Sequence, residues 1–209
     1  RYAKEKGLPP LDGHKHGFEK LKEVLVWSKE LPIQHIIIYA FSTENWNRSK
    51  VEVAALMNLC RDGFTQLHDE IEKYELRIRF IGRRTDLPQD LQEILQRLER
   101  RTRGYKKTLT IALSYGGRLE IVTAANALLK KGVKSITEKT LRAHMWSKDI
   151  PDPDIIIRTG GDMRLSNFLL WQSAYSELFF TQTKWPDLGK REYEKIIKDF
   201  STRERRMGV

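Results

Sequence analysis

Seven residues, His35-Ile-Ile-Ile-Tyr-Ala-Phe41, make an almost unbroken apolar run. A run this short reads as a strand buried on both faces, which in a water-soluble chain implies a parallel sheet covered by helices. Thr108 to Ser114, Ile155 to Ile157 and Leu178 to Thr181 are further strand candidates. In Leu76 to Ile81, Arg77 and Arg79 alternate with Ile78 and Phe80, so one face is partly open. Helical periodicity lies between these runs. From His14 it passes through Phe18, Leu21, Val24, Leu25 and Leu31 to Pro32. Ser49 and Glu52 predict a capping box ahead of the longest stripe: Val53, Leu56, Met57, Cys60, Phe64, Leu67, Ile71 and Tyr74. Pro88 to Arg101, Arg118 to Leu129, Glu138 to Met145 and Lys190 to Arg203 predict four more helices, and Ser166 to Ser173 a helical turn. Residues 1–13, with Gly7, Pro9 and Pro10, read as a loop. Strands alternating with helices predict an α/β fold, one domain over 1–209 with a mainly parallel central sheet and helices on both faces.

The 209 residues suffice for a sizeable core. No apolar stretch approaches the ~18 residues of a membrane span, and the first residues do not resemble a signal peptide. A single Cys60 allows no internal disulfide and belongs to a helix stripe, as a small core residue in a reducing compartment. The histidines have no zinc-ligand spacing. A formal charge of +10 implies an anionic partner: nucleic acid, anionic lipid or a phosphorylated substrate. Much of that charge alternates with acids along helix faces, as in Arg97, Glu99 and Arg100, so charge by itself selects none of the three.

The chemistry concentrates after Ile157. Arg158, the Gly160-Gly161 pair, Arg164 and Ser166 follow a strand, and ligands of parallel sheets bind beyond the strands' carboxyl ends. That rule gathers residues 42–48, 115–117, 158–166 and Thr181 onward at one rim. Two guanidinium forks, a hydroxyl and glycine amides favour a dense anion such as a diphosphate over a base or a sugar. Neither a Walker spacing nor Gly-x-Gly-x-x-Gly occurs. Diphosphates travel with Mg²⁺ held by one or two carboxylates, and Glu177 is the candidate.

Seven stretches, in order, resemble one family: Ala40-Phe-Ser-Thr-Glu-Asn-Trp-Asn-Arg48, Ser114-Tyr-Gly-Gly-Arg118, Ile157-Arg-Thr-Gly-Gly161, Arg164-Leu-Ser-Asn-Phe-Leu-Leu-Trp-Gln172, Glu177-Leu-Phe-Phe-Thr181, Trp185-Pro186 and Arg203-Glu-Arg-Arg-Met-Gly208. They are similar to the cis-prenyltransferases of the bacterial undecaprenyl diphosphate synthase type. The resemblance implies a Mg²⁺-dependent enzyme that condenses isopentenyl diphosphate with an allylic diphosphate such as farnesyl diphosphate, building a long Z-polyprenyl lipid-carrier precursor. It implies Arg158, Arg164 and Ser166 on the isopentenyl diphosphate, Arg1 and His14 on the allylic one, and Tyr2 and Leu165 as further substrate-binding residues. It places Asn45 at the family's proposed proton-acceptor position, with Ser42, Thr43, Glu44, Trp46 and Arg48 in a substrate loop. Glu177 corresponds to the magnesium-binding glutamate, and Arg206 and Gly208 to an element that reaches a partner's site in a homodimer. The long helix after Ser49 would wall a hydrophobic tunnel. The expected setting is cytoplasmic with no nucleic-acid partner; the basic Arg103, Lys106 and Lys107 read as a solvated cluster, with anionic lipid headgroups and peripheral membrane contact as the alternative.

Three departures stand out. Arg1 matches the last residue of an Asp-Gly-Asn-x-Arg motif, whose aspartate and preceding strand would lie ahead of it and are not in this sequence. That motivates an alternative reading, a non-catalytic subunit of a heteromeric complex, against which the arginine and asparagine motifs stand intact. Pro10 replaces an arginine common in bacterial members, and Met163 a histidine.

Overall fold

A computed structural model describes residues 2–66 and 68–203. In chain order the helices and strands are α1 (Tyr2–Glu5), α2 (Pro10–Lys29), β1 (His35–Ser42), α3 (Lys50–Gln66), α4 (His68–Tyr74), β2 (Leu76–Ile81), α5 (Gln89–Arg101), β3 (Lys107–Tyr115), α6 (Gly117–Lys130), α7 (Glu138–Arg142), β4 (Ile155–Arg158), β5 (Glu177–Phe180) and α8 (Lys190–Ser201). This is the expected α/β alternation, and every strand pair is parallel. No helix among the described residues is long and apolar enough to cross a membrane. The chain forms two compact units, Pro32–Pro151 and Arg1–Leu31 with Asp152–Val209.

In the first unit the sheet order is β1-β3-β2. The strand buried on both faces is β3, enclosed from Thr108 to Tyr115. The apolar run of β1, expected to be doubly buried, instead holds an edge position, where only Phe41 is fully enclosed. Composition could not separate the two because edge and centre are set by pairing order. β1 shifts register against β3 around Ala40, a bulge that re-aims the strand just before residues 42–48. Leu91 and Leu95 of α5 and Leu109 of β3 are completely buried, and Phe64 of α3 packs edge-on against Phe80 of β2 at 5.1 Å. Thr102, just past α5, accepts from the Ile78 amide at 2.9 Å and donates to the Leu98 carbonyl at 2.8 Å, so its buried hydroxyl is satisfied. Glu120, also buried, receives the Ser147 amide at 2.8 Å, the Ser147 hydroxyl at 2.7 Å and the Tyr115 phenol at 2.6 Å. Those donors keep an enclosed acid satisfied and tie α6 to the segment after α7.

The second unit pairs β4 with β5 in the register Ile155↔Glu177 to Arg158↔Phe180. α2 starts at Pro10 rather than His14, and residues 2–5 are helical rather than loop. The prolines taken as loop markers are an N-cap and a first helical residue, where a fixed φ and a missing amide cost nothing. Trp185 of the Trp-Pro pair donates its indole N–H to the Gly17 carbonyl of α2 at 2.7 Å. Tyr193 of α8 shares a 2.8 Å hydrogen bond with Ser28 and packs on Trp27, and its burial pushes the phenol up from its ordinary value. The helical turn expected over Ser166 to Ser173 is a series of bends and turns. Ser166, Asn167 and Leu169 have φ of 51°, 65° and 45°, left-handed conformations that a right-handed helix excludes.

Candidate active site

β4 ends by delivering Arg158 into a set of contacts the sequence only partly anticipates. Its Nη1 donates to the Arg164 carbonyl at 2.5 Å and to Ser166 Oγ at 2.7 Å, while Nη2 reaches Asp162 Oδ2 at 3.3 Å. Arg164 donates to the same carboxylate oxygen at 2.8 Å. Asp162, which the sequence reading gave no role, therefore gathers both guanidinium groups. Its place between two arginines in the chain was the available signal. The Arg158 side chain is 20% exposed and that of Arg164 61%, so the first is a fixed base and the second an outward arm. Leu165 is half-buried, and Ser166 is exposed. The left-handed backbone at Ser166 and Asn167 is what turns the hydroxyl back towards Arg158, with fully buried Leu169 anchoring the turn behind it.

The glycine amides do not join this grip. Gly160 N–H donates to the Thr183 carbonyl at 2.8 Å and Gly161 N–H to that of Thr181 at 2.9 Å. Gly161, at φ 82°, lies where a Cβ would stand 2.6 Å from the Gln182 side chain. Gly160 has open space around it, and what both positions share is a left-handed φ of 89° and 82° that glycine adopts without strain; with both amides bonded to the chain, anion contacts fall to the side chains.

Glu177 opens β5, and its carboxylate accepts a short hydrogen bond from Arg203, whose guanidinium also covers the Phe179 ring at 4.5 Å. Arg203 was expected only as part of a C-terminal motif; here it is the counter-ion of the candidate metal ligand. No three His, Cys, Asp or Glu side chains converge among the described residues.

In the other unit, Ser42 and Asn45 cap one another. The Ser42 amide donates to Asn45 Oδ1 at 2.9 Å and the Ser42 hydroxyl accepts from the Asn45 amide, which starts a 3-10 turn over Thr43–Asn47. The Asn45 side-chain oxygen is thus engaged, and its NH₂ is the part of the amide able to donate. Trp46 packs edge-on to Phe41 at 4.9 Å, and its indole N–H donates to Ser114 Oγ at 2.9 Å. Arg48 pairs with Glu52 at 2.8 Å, and the Glu52 amide donates to Ser49 Oγ at 3.2 Å, one half of the expected capping box. Thr43 is half-buried and Glu44 exposed. Tyr39, on the strand before, donates to the Tyr115 carbonyl at 3.0 Å; burial, then the Glu44 charge, pushes its phenol up to about 12, so it remains a neutral donor.

A cavity of about 520 Å³ opens beside this turn, lined by Trp46, Arg48 and Lys50, by Val53 and Met57 of α3, and by Leu87. It is an open pocket against one face of α3, apolar at Val53, Met57 and Leu87 and charged at Arg48, Lys50, Arg61 and Asp86, not a closed tunnel. Burial pushes the Cys60 thiol up to about 11, in keeping with an inert packing residue. His14, in α2, and Tyr2, in α1, are half-buried, and Tyr2 lies 5.7 Å from the His16 ring. Arg1, Arg206 and Gly208 lie outside the described residues.

Over residues 1–208 the sequence matches the family model of undecaprenyl diphosphate synthases. An isoprenyl transferase of Thermotoga maritima is 46% identical over 217 residues, which span 100% of this chain and 91% of that protein. A tritrans,polycis-undecaprenyl-diphosphate synthase (geranylgeranyl-diphosphate specific) of Thermococcus kodakarensis is 42% identical, over 100% of this chain and 82% of that one. The crystal structure of lavandulyl diphosphate synthase from Lavandula x intermedia in complex with dimethylallyl diphosphate matches with a TM-score of 0.88 at 31% identity, covering 100% and 93% of the two chains.

Proposed function

The chain belongs to the undecaprenyl diphosphate synthase family, whose members elongate prenyl chains, and from that we propose that it condenses isopentenyl diphosphate with an allylic diphosphate such as farnesyl diphosphate to build a long Z-polyprenyl diphosphate. The observation that carries this reading is the Arg158–Asp162–Arg164–Ser166 cluster at the end of β4. Two forked donors and a hydroxyl match the oxygens of a diphosphate. On this reading Arg158, Arg164 and Ser166 hold the isopentenyl diphosphate, with Leu165 beside its short hydrocarbon. Arg1, Tyr2 and His14 serve the allylic diphosphate.

As the allylic diphosphate departs, negative charge grows on its oxygens, and donors fixed beforehand stabilise it more than they stabilise the ground state. An amide is a poor base, and the Asn45 oxygen is occupied by Ser42. The Asn45 NH₂ is therefore assigned to donate to the departing oxygens instead of removing a proton. The turn from Ser42 to Arg48 orients it, and the cavity along α3 takes hydrocarbon. A homodimer is part of the same proposal.

Mg²⁺ fits the donor set in one way only. With no three potential ligands converging among the described residues, the ion would draw most of its ligands from phosphate and water, which is the habit of Mg²⁺. Glu177 would hold it, and the ion would neutralise developing diphosphate charge. Because Arg203 occupies the Glu177 carboxylate, arginine and metal compete for it. Glu177→Ala is expected to raise the Mg²⁺ concentration for half-maximal rate. Arg203→Gln should lower it by about two- to fivefold, the worth of a partly exposed ion pair. A titration in which both variants follow the parent would remove Glu177 from the metal site.

The function itself is tested by incubating the full-length enzyme with farnesyl diphosphate, radiolabelled isopentenyl diphosphate and Mg²⁺. The expected result is a ladder of long products whose new double bonds are Z. Absence of incorporation would end the proposal.

A further inference from the structure

The residues that hold the 42–48 turn are not all in it. Ser114, at the end of β3, accepts the Trp46 indole N–H at 2.9 Å and donates its own hydroxyl to Asp86 Oδ2 at 2.5 Å. Asp86 is in turn paired with Arg83 at 2.8 Å. Ser114 is completely buried and has φ 46°, a left-handed conformation that costs a serine free energy and persists only where its surroundings over-determine it. Those surroundings are visible. The Ser114 carbonyl accepts from the Arg83 amide at 3.1 Å, and Gly82, at φ 122°, lets the two strand ends pass so closely that a Cβ there would lie 1.9 Å from the Leu113 oxygen. The strained backbone aims one hydroxyl at one indole. Both Trp46 and Asp86 also line the 520 Å³ cavity beside α3, so the same contact sets part of its wall.

We propose that Ser114 and Asp86 are positioning residues for catalysis: a relay from Asp86 through Ser114 to Trp46 fixes the turn so that the neighbouring Asn45 NH₂ is presented in one orientation. Neither residue touches the reacting atoms. A ring held only by its edge contact with Phe41 could rotate about χ2, whereas an indole with its N–H satisfied by a buried hydroxyl has one orientation. Ser114 is the fitting partner, because it must accept from Trp46 and donate to Asp86 at once, which a hydroxyl does and an alanine, valine or cysteine does poorly. The carboxylate, an acceptor only, fixes the direction of both hydrogen bonds.

This inference rests on the proposal that the turn takes part in prenyl transfer, and the test separates the two. In the full-length enzyme, elongation kinetics and melting temperature are measured for Ser114→Ala, Trp46→Phe, the double variant and Asn45→Ala. Ser114→Ala and Trp46→Phe are each expected to lower kcat about tenfold, the scale of a modest loss of alignment, with KM for isopentenyl diphosphate within about twofold of the parent. The double variant should be no slower than the worse single, the coupling that contacting residues show. Asp86→Asn keeps an acceptor oxygen and should retain most of kcat, while Asp86→Leu should match Ser114→Ala; this pair keeps the test decisive where Ser114→Ala fails to fold. Single losses that multiply in the double variant, or losses that track melting temperature alone, would overturn the relay. An Asn45→Ala enzyme with parental kcat would instead overturn the role of the turn.

Discussion

Replacing Arg158 by alanine is expected to raise KM for isopentenyl diphosphate about 30- to 100-fold, a loss of roughly 2–3 kcal/mol, the usual worth of hydrogen bonds from a charged group. The effect is larger than one lost ligand contact because Arg158 organises its neighbours. Without its Nη1, the Arg164 carbonyl and Ser166 hydroxyl lose the donor that draws them together, and the left-handed backbone at Ser166 loses a stabilising partner. Without its Nη2, Asp162 loses one of the two guanidinium groups it gathers and places a less neutralised carboxylate beside an incoming anion. Arg158→Lys should recover part of the loss, since an ammonium restores charge without the planar fork. Arg164→Ala, removing the exposed arm, should cost less than Arg158→Ala. An unchanged KM in Arg158→Ala would refute the assignment of this cluster to the substrate.

The second large effect concerns stability. Gly82→Ala should cost about 4 kcal/mol or more, placing it in the rare tail of single substitutions. Its φ of 122° lies where side chains are strained, and the obstruction is the Leu113 carbonyl, main chain of the central strand β3. A flexible side chain could move aside; a strand held on both edges cannot without breaking its ladder. Against a total stability of about 5–15 kcal/mol for a typical domain, such a loss leaves little cooperative unfolding to observe in urea. A Gly82→Ala protein melting within about 2 °C of the parent would contradict the close passage of β2 and β3.

Periodicity and apolar runs locate nearly every element, since these are local consequences of burial on one face or two. What they miss is set by contacts distant in sequence. Ile36 to Ile38 look more buried than Thr108 to Thr110, yet β3 is the centre and β1 the edge. Pro9 and Pro10 signal a break equally well as the first residues of a helix. At the site, Arg158, Arg164 and Ser166 were legible because they follow a strand in one short stretch. The diversion of the Gly160 and Gly161 amides to Thr183 and Thr181 was not, because those acceptors belong to a segment some twenty residues on. The link from Trp46 to Ser114 spans 68 positions and leaves no periodic trace. Nor does the capture of Glu177 by Arg203, 26 positions away.

If the β4 cluster holds the diphosphate as proposed, the sharing of Asp162 by two arginines makes binding there an ion exchange. Its two guanidinium groups already hold one carboxylate, so an arriving anion trades places with an internal counter-ion instead of falling into bare positive charge. A singly charged ligand offers the arginines nothing Asp162 does not already supply, whereas a multiply charged diphosphate can outbid it. On that proposal, discrimination by valence follows from contacts already present in the resting state.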